Sequence, residues 1–179
     1  MEESLEALFA DLEARADGLY LAERDAELAD LSSGEYAEVT LAGRLHACVG
    51  TTLVLTVAGV GRLQGRLLRV GSDWCLMALV SSGQEWVVRL AAVEAVRGAS
   101  DAAVNERARS VLARLGLRST LREMAQSGMP IVVWHRDGTQ SRGLPMRVGA
   151  DFVEMVEIAA EGGGPSVLLS FDAIAAVTG

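Results

Sequence analysis

The stretch GRLLRVGSDW, Gly65 to Trp74, returns 78 residues later as GLPMRVGADF, Gly143 to Phe152. A chain that repeats itself at a fixed distance is constrained to fold as similar units packed on one another. At the same offset Arg44 falls on Arg122, Gly50 on Gly128, Gly65 on Gly143 and Arg69 on Arg147. Val70, Gly71 and Asp73 fall on Val148, Gly149 and Asp151, and Trp74 falls on Phe152. Further on the offset becomes 81, pairing Val93 with Ile174, Val96 with Val177 and Gly98 with Gly179. The three extra residues fall in AAEGGGP, read as a loop, where added length costs little.

Each unit reads as a helix followed by five short strands. In the first, a helix is expected from about Glu35 to Cys48. Five strands then fit between Thr51 and Arg97: TLVLTV, RLQGRLLRV, WCLMALV, EWVVRL and VEAV, rich in β-branched and apolar residues. Residues 99–127 turn helical, with Gly116 as a point of division. From Pro130 the strand series returns as IVVWH, SRGLPMRV, DFVEMVEI, SVLLS and AIAAV. Gly65 and Gly143, inside strands, mark bends or bulges. Gly71–Asp73 and Gly149–Asp151 read as tight turns in which the Asp bonds its own backbone. Trp74 and Phe152 open the next strand and cover one end of the core.

Charge separates a third region. Residues 1–30 hold ten acids and two arginines, whereas residues 31–179 hold 14 acids and 14 arginines, and lysine is absent. Leu5, Leu8, Leu12, Leu19, Ala22, Ala26 and Ala29 occupy a and d heptad positions, interrupted by Arg15 and weakened at Gly18. The expected organisation is an acidic amphipathic helical arm at 1–34, a first unit at 35–98, and a helical connector with the second unit at 99–179.

Half the residues are apolar, enough for a packed core. No apolar run approaches the 18 residues of a membrane span, and the acidic start does not look like a signal peptide, so a cytoplasmic protein that engages no membrane is expected. Cys48 and Cys75 lack CxxC spacing, and His46 and His135 do not complete a zinc set, so two buried reduced thiols and no metal are expected. With two histidines, no nucleophile elbow and no Ser, Cys or Thr with an evident His partner, the sequence points away from an enzyme, and no cofactor motif is present.

A helix followed by a bent five-stranded antiparallel barrel resembles the Sm/LSm-like (Hfq-like) family of small SH3-like β-barrels, over residues 36–98 and 114–179. GVGRLQGRLLRVGSDWCLMALV is similar to the first Sm motif, and VVRLAAVEAV and VLLSFDAIAAV are similar to the second. The resemblance implies an α+β fold of two tandem five-stranded antiparallel β-barrels, each preceded by a helix, beside the acidic arm. It also implies association through edge strands, between the two units or across chains. Family members that bind uridine-rich RNA carry an Asn where this chain has Met77–Ala78 and Met155–Val156, and an Arg-Gly where it has Arg89-Leu90 and Ser170-Phe171. Of the family's RNA contacts only Arg89 has a counterpart.

The leading functional expectation is therefore a non-enzymatic assembly or protein-interaction module, with a protein partner or self-association. The alternative is an RNA or other nucleic-acid binder using Arg62, Arg66, Arg69, Arg89, Arg136, Arg142 and Arg147. In a third reading the acidic arm masks that basic face, docking on the arginine-bearing connector. Trp86 and Trp134 are read as core or cap residues in preference to base-stacking platforms.

Overall fold

The computed structural model describes residues 36–105, 113, 115–159 and 162–179. The chain divides into two units, Met1–Val39 and Thr40–Gly179, and the second holds every described strand. The acidic arm, its heptad seam and residues 106–112 and 114 of the Arg-bearing connector lie outside the described residues.

The second unit contains α1 (Leu41–Ala47), β1 (Thr52–Val57), β2 (Gly61–Val70), β3 (Trp74–Leu79), β4 (Glu85–Arg89) and β5 (Val93–Arg97). It continues through α2 (Leu117–Ser127), β6 (Ile131–His135), β7 (Gln140–Val148), β8 (Phe152–Ala159), β9 (Gly162–Ser170) and β10 (Ile174–Thr178). The ten described strands form one antiparallel sheet in the order β5-β1-β2-β3-β4-β10-β6-β7-β8-β9. This overturns the expectation of two tandem closed five-stranded barrels each preceded by a helix. The sheet is single and open, because β4 gives its outer hydrogen-bonding edge to β10 and not to β5.

The pairing register explains the spacing of 78. Leu53 pairs with Gly65 and Ile131 with Gly143; Gly65 with Leu79 and Gly143 with Glu157. The β2–β3 ladder shifts between Leu67 and Arg69, and the β7–β8 ladder between Pro145 and Arg147, the same place 78 residues on. β4 and β5 stand four places apart in the sheet, roughly 19 Å if it were flat, yet only the 3₁₀ turn Leu90–Ala92 joins them. From Arg89 to Val93 the chain reaches only about 14 Å, so each five-strand set curls strongly while remaining open.

The core follows the seam between the sets. β10 is buried at every position and packs on both sides: Ala175 and Ala176 join the cluster of Leu53, Leu55, Leu67 and Met77, while Ile174 and Val177 join Ile131, Val133, Val153 and Met155. β4 alternates likewise, Trp86 and Val88 toward the first cluster and Val87 toward the second. Each such aliphatic side chain contributes about 1.5–3 kcal/mol by leaving water.

Several local readings change. The helix expected over 35–48 is α1, seven residues starting after Thr40, whose Oγ1 accepts from Gly43 N at 3.1 Å. α2 starts directly after Gly116, where the sequence put a division, and ends at Gly128 in the left-handed conformation. Most of AAEGGGP is strand, because β8 and β9 extend through Ala159 and from Gly162. Gly65 and Gly143 do not form the bulges, which lie further along their strands. They permit close approach: a Cβ on Gly65 would stand 2.6 Å from the Ala78 carbonyl oxygen, and one on Gly143 would collide with that of Val156.

Candidate functional site

A strand edge is a row of unpaired N–H and C=O groups, and where it meets another edge the sequence on each side decides how firmly they join. In this chain one such joint is already made. β4 and β10 pair Val88 with Ala176, Val87 with Val177 and Trp86 with Thr178. Trp86 and Trp134 lie with ring centroids 5.0 Å apart on strands flanking β10. At the other end Arg89 Nη2 donates to Asp172 Oδ1 at 2.9 Å. Arg89 Nε and Nη1, like the indole nitrogens of Trp86 and Trp134, are buried without a hydrogen-bond partner.

The two remaining edges are β5 and β9. By register β9 corresponds to β4: Glu154 pairs with Leu168 as Leu76 pairs with Val87, and Phe152 with Ser170 as Trp74 with Arg89. β5 corresponds to β10: Val96 faces Leu55 on β1 as Val177 faces Val133 on β6. The chain thus uses one edge of each kind internally and leaves one of each kind free among the described strands.

α2 packs against β7, and its buried side chains reach Trp74 on β3 and Val87 on β4. Trp74 Nε1 donates to the Leu115 carbonyl at 2.9 Å, and Leu117 and Leu121 join Trp74 and Val87 in one buried cluster. Trp74 therefore belongs to the second core and does not cap its own. Asp73 does not bond its own backbone as expected; its Oδ1 accepts from Leu117 N at 2.7 Å and supplies the cap that Gly116 cannot. Asp151, its counterpart, makes no side-chain hydrogen bond among the described residues, although the backbone turn is the same: Gly71 N and Gly149 N donate to the carbonyls of Trp74 and Phe152. Beside α2 a groove of about 360 Å³ has Trp74, Leu76 and Val87 at its base and Arg69, Glu85 and Glu123 among its lining charges.

The corresponding face of the second set carries no helix among the described residues. Leu76 is replaced by Glu154, whose Oε2 accepts from Arg147 at 2.7 Å and whose Oε1 accepts from Ser166 at 3.1 Å. These bonds, Arg147 first, hold the Glu154 carboxyl below the usual carboxylate range. Beside them Leu168 is 63% exposed, where Val87 is 5% exposed.

The seven arginines do not form one patch. Arg69 and Arg147 are true counterparts, but Arg62 and Arg66 correspond to Gln140 and Leu144, and Arg142 to Gln64. Arg62, Gln64 and Arg66 share the exposed side of β2, and Arg66 Nε donates to the Gly50 carbonyl at 3.0 Å. Arg89 and Arg147 are taken by carboxylates. Arg136 lies in the β6–β7 turn beside a cleft of about 370 Å³ formed with His135, Asp137, Thr139 and Ala173.

That turn holds a pairing the sequence reading missed. His135 Nε2 and Ser141 Oγ share a hydrogen bond at 3.0 Å. The Asp137-Gly138 turn was its only signal, since it folds the chain so that residues on either side face each other. Among the described residues no carboxylate hydrogen-bonds the other ring nitrogen, as a Ser-His nucleophile requires. Asp137 instead accepts from Thr139 N at 2.9 Å and from Thr139 Oγ1, which lowers its pKa. Cys48 and Cys75 are free and buried, and burial pushes the Cys75 thiol up to about 12. Among the described residues no three His, Cys, Asp or Glu side chains gather as a metal site, and no helix is long and apolar enough to cross a membrane.

No protein-family model matches the chain, and no curated protein matches it in sequence.

Proposed function

We propose that this chain is a non-enzymatic assembly module that works through strand edges. The observation that carries this reading is the β4–β10 joint: the same chain makes an edge-to-edge contact internally and keeps an edge of each kind open. An exposed edge with an apolar side chain such as Leu168 beside it invites an added strand.

The test is the native mass of the protein isolated from the cells that make it. Assembly through an edge gives a mass above the 18.9 kDa of one chain, and Leu168→Glu returns it to that value. A mass of one chain for both forms overturns the reading. A second reading, nucleic-acid binding, draws on the open row of Arg62 and Arg66 on β2. It requires binding that weakens steeply with salt.

A further inference from the structure

We propose that the groove beside α2 is a binding site for a free apolar amino acid, a small zwitterion with an apolar side chain. The site goes beyond the edge-assembly reading and is independent of it.

The repeat supplies its own comparison. Arg69 pairs in register with Leu76 as Arg147 pairs with Glu154. In the second set the Arg147 guanidinium holds the Glu154 carboxylate at 2.7 Å, and Ser166 Oγ donates to the same carboxylate at 3.1 Å. In the first set the residue facing the arginine is Leu76. Glu85 stands where Ser166 does, since Ala78 pairs with Glu85 as Val156 pairs with Ser166. The carboxylate is thus missing from beside Arg69, and Arg69 and Leu76 line the groove of about 360 Å³ instead. A ligand carboxylate there restores the contact that Glu154 makes within the chain.

The rest of the lining defines the other parts of the ligand. Trp74, Leu76, Val87 and Met124 make the groove largely apolar, the usual character of a small-molecule site of this size. Thr120, Glu123 and Ser127 are three and four residues apart on α2, so they form one polar row along its wall. Arg69, Glu85 and Glu123 are exposed. Among the described residues none of these three side chains makes an ion pair or a hydrogen bond. Unpaired charges of both signs around an apolar base complement a ligand that carries both signs. Its carboxylate goes to Arg69, its ammonium to Glu123 or Glu85, and its side chain to the base. An apolar anion would meet the two carboxylates with nothing to offer them, and an apolar cation would leave Arg69 unpaired.

The experiment is calorimetric titration of the purified full chain with L-phenylalanine, phenylalaninamide and N-acetylphenylalanine, with backbone amide NMR shifts to locate the contact. Phenylalaninamide lacks the carboxylate, and N-acetylphenylalanine lacks the ammonium. The expected result is saturable binding of phenylalanine, weaker binding of both analogues, and shifts centred on Leu76, Val87 and Met124. Arg69→Gln and Glu123→Gln, both at exposed positions, each weaken phenylalanine binding roughly two- to fivefold. Arg69→Gln leaves phenylalaninamide binding no weaker than before. Leu76→Glu recreates the Arg147–Glu154 arrangement and abolishes binding; should that variant fail to fold, the two exposed variants decide. No saturable binding of L-phenylalanine or L-leucine overturns the proposal, and so do shifts centred away from the groove. Equal affinity for phenylalaninamide means that Arg69 holds no carboxylate, and equal affinity for N-acetylphenylalanine means that the glutamates hold no ammonium; either result overturns it. The native mass that tests the edge reading is unaffected by any of these outcomes.

Discussion

The carboxylate of Asp73 accepts a hydrogen bond from the backbone N–H of Leu117 at 2.7 Å, across 44 residues of chain. The turn between β2 and β3 thereby caps a helix that leads into the other five-strand set. Asp73→Ala removes the cap and is expected to cost about 1 kcal/mol, within the range for N-cap losses. Asp151→Ala, at the corresponding turn, is expected to stay within about 0.5 kcal/mol of the parent because its side chain holds nothing. Urea unfolding of the two variants checks this, and equal losses would mean that the cap contributes nothing.

Gly143 lies where a methyl group would meet the backbone of the next strand. A Cβ there collides with the Val156 carbonyl and stands 3.0 Å from Glu157 Cα, while one on Gly163 meets nothing within 4 Å. Gly143→Ala is expected to lose about 1–3 kcal/mol by overpacking, and Gly163→Ala to be near neutral. Thermal unfolding separates them. A neutral Gly143→Ala would mean that the β7–β8 spacing is looser than described.

Gly143 and its counterpart Gly65 also show what was legible in the sequence. Gly65 and Gly143 stood out because close backbone approach admits no side chain, so the same constraint left the same letter 78 residues apart. The strands were legible for a similar reason, since period-2 burial writes itself into apolar alternation. Closure was not legible. Whether β4 pairs with β5 or with β10 depends on which edge arrives, and Val87 and Val88 suit either. The site was hidden in the same way. Arg89 and Asp172 are 83 residues apart, and nothing in either neighbourhood announces that they meet. Spacing along the chain does not by itself give the arginines a shared face, since Arg66 corresponds to Leu144.

The buried thiol of Cys75 gives stability a dependence on alkaline pH. Burial disfavours the thiolate and raises the folded pKa from 9.0 to about 12. A raised folded pKa means the stabilisation is complete below pH 9 and is lost as pH rises from there toward 12. The loss is about 1.4 kcal/mol per pH unit within that window. Unfolding midpoints of the parent and Cys75→Ala between pH 8 and 11 should converge as pH rises. Parallel curves would exclude a buried thiol as the cause.

The nucleic-acid reading makes its own prediction. If Arg62 and Arg66 contact phosphates, labelled RNA binds at low salt, and replacing both with Ala reduces the slope of affinity against salt by about two contacts. Fluorescence anisotropy at several salt concentrations decides it. No binding even at low salt removes the reading.

The Arg89–Asp172 pair at the β4–β10 joint should respond unequally to loss of its two partners. Asp172 is exposed, with 90% of its side chain accessible, while Arg89 retains only 15%. Two of the guanidinium nitrogens are buried without partners, so the bond to Asp172 is the one hydrogen bond that holds this charge. Asp172→Ala leaves a largely buried cation with none, at an expected cost of about 1–3 kcal/mol. Arg89→Met removes the charge and keeps apolar volume beside β10, so it should be close to neutral or stabilising, as happens when a buried ion pair is replaced by apolar side chains. The double variant should then match Arg89→Met alone, because no stranded charge remains. Unfolding free energies of the three variants test the sequence of costs. If Arg89→Met proves the most damaging, the guanidinium holds the seam together through contacts other than Asp172, and the joint between β4 and β10 depends on charge more than on packing.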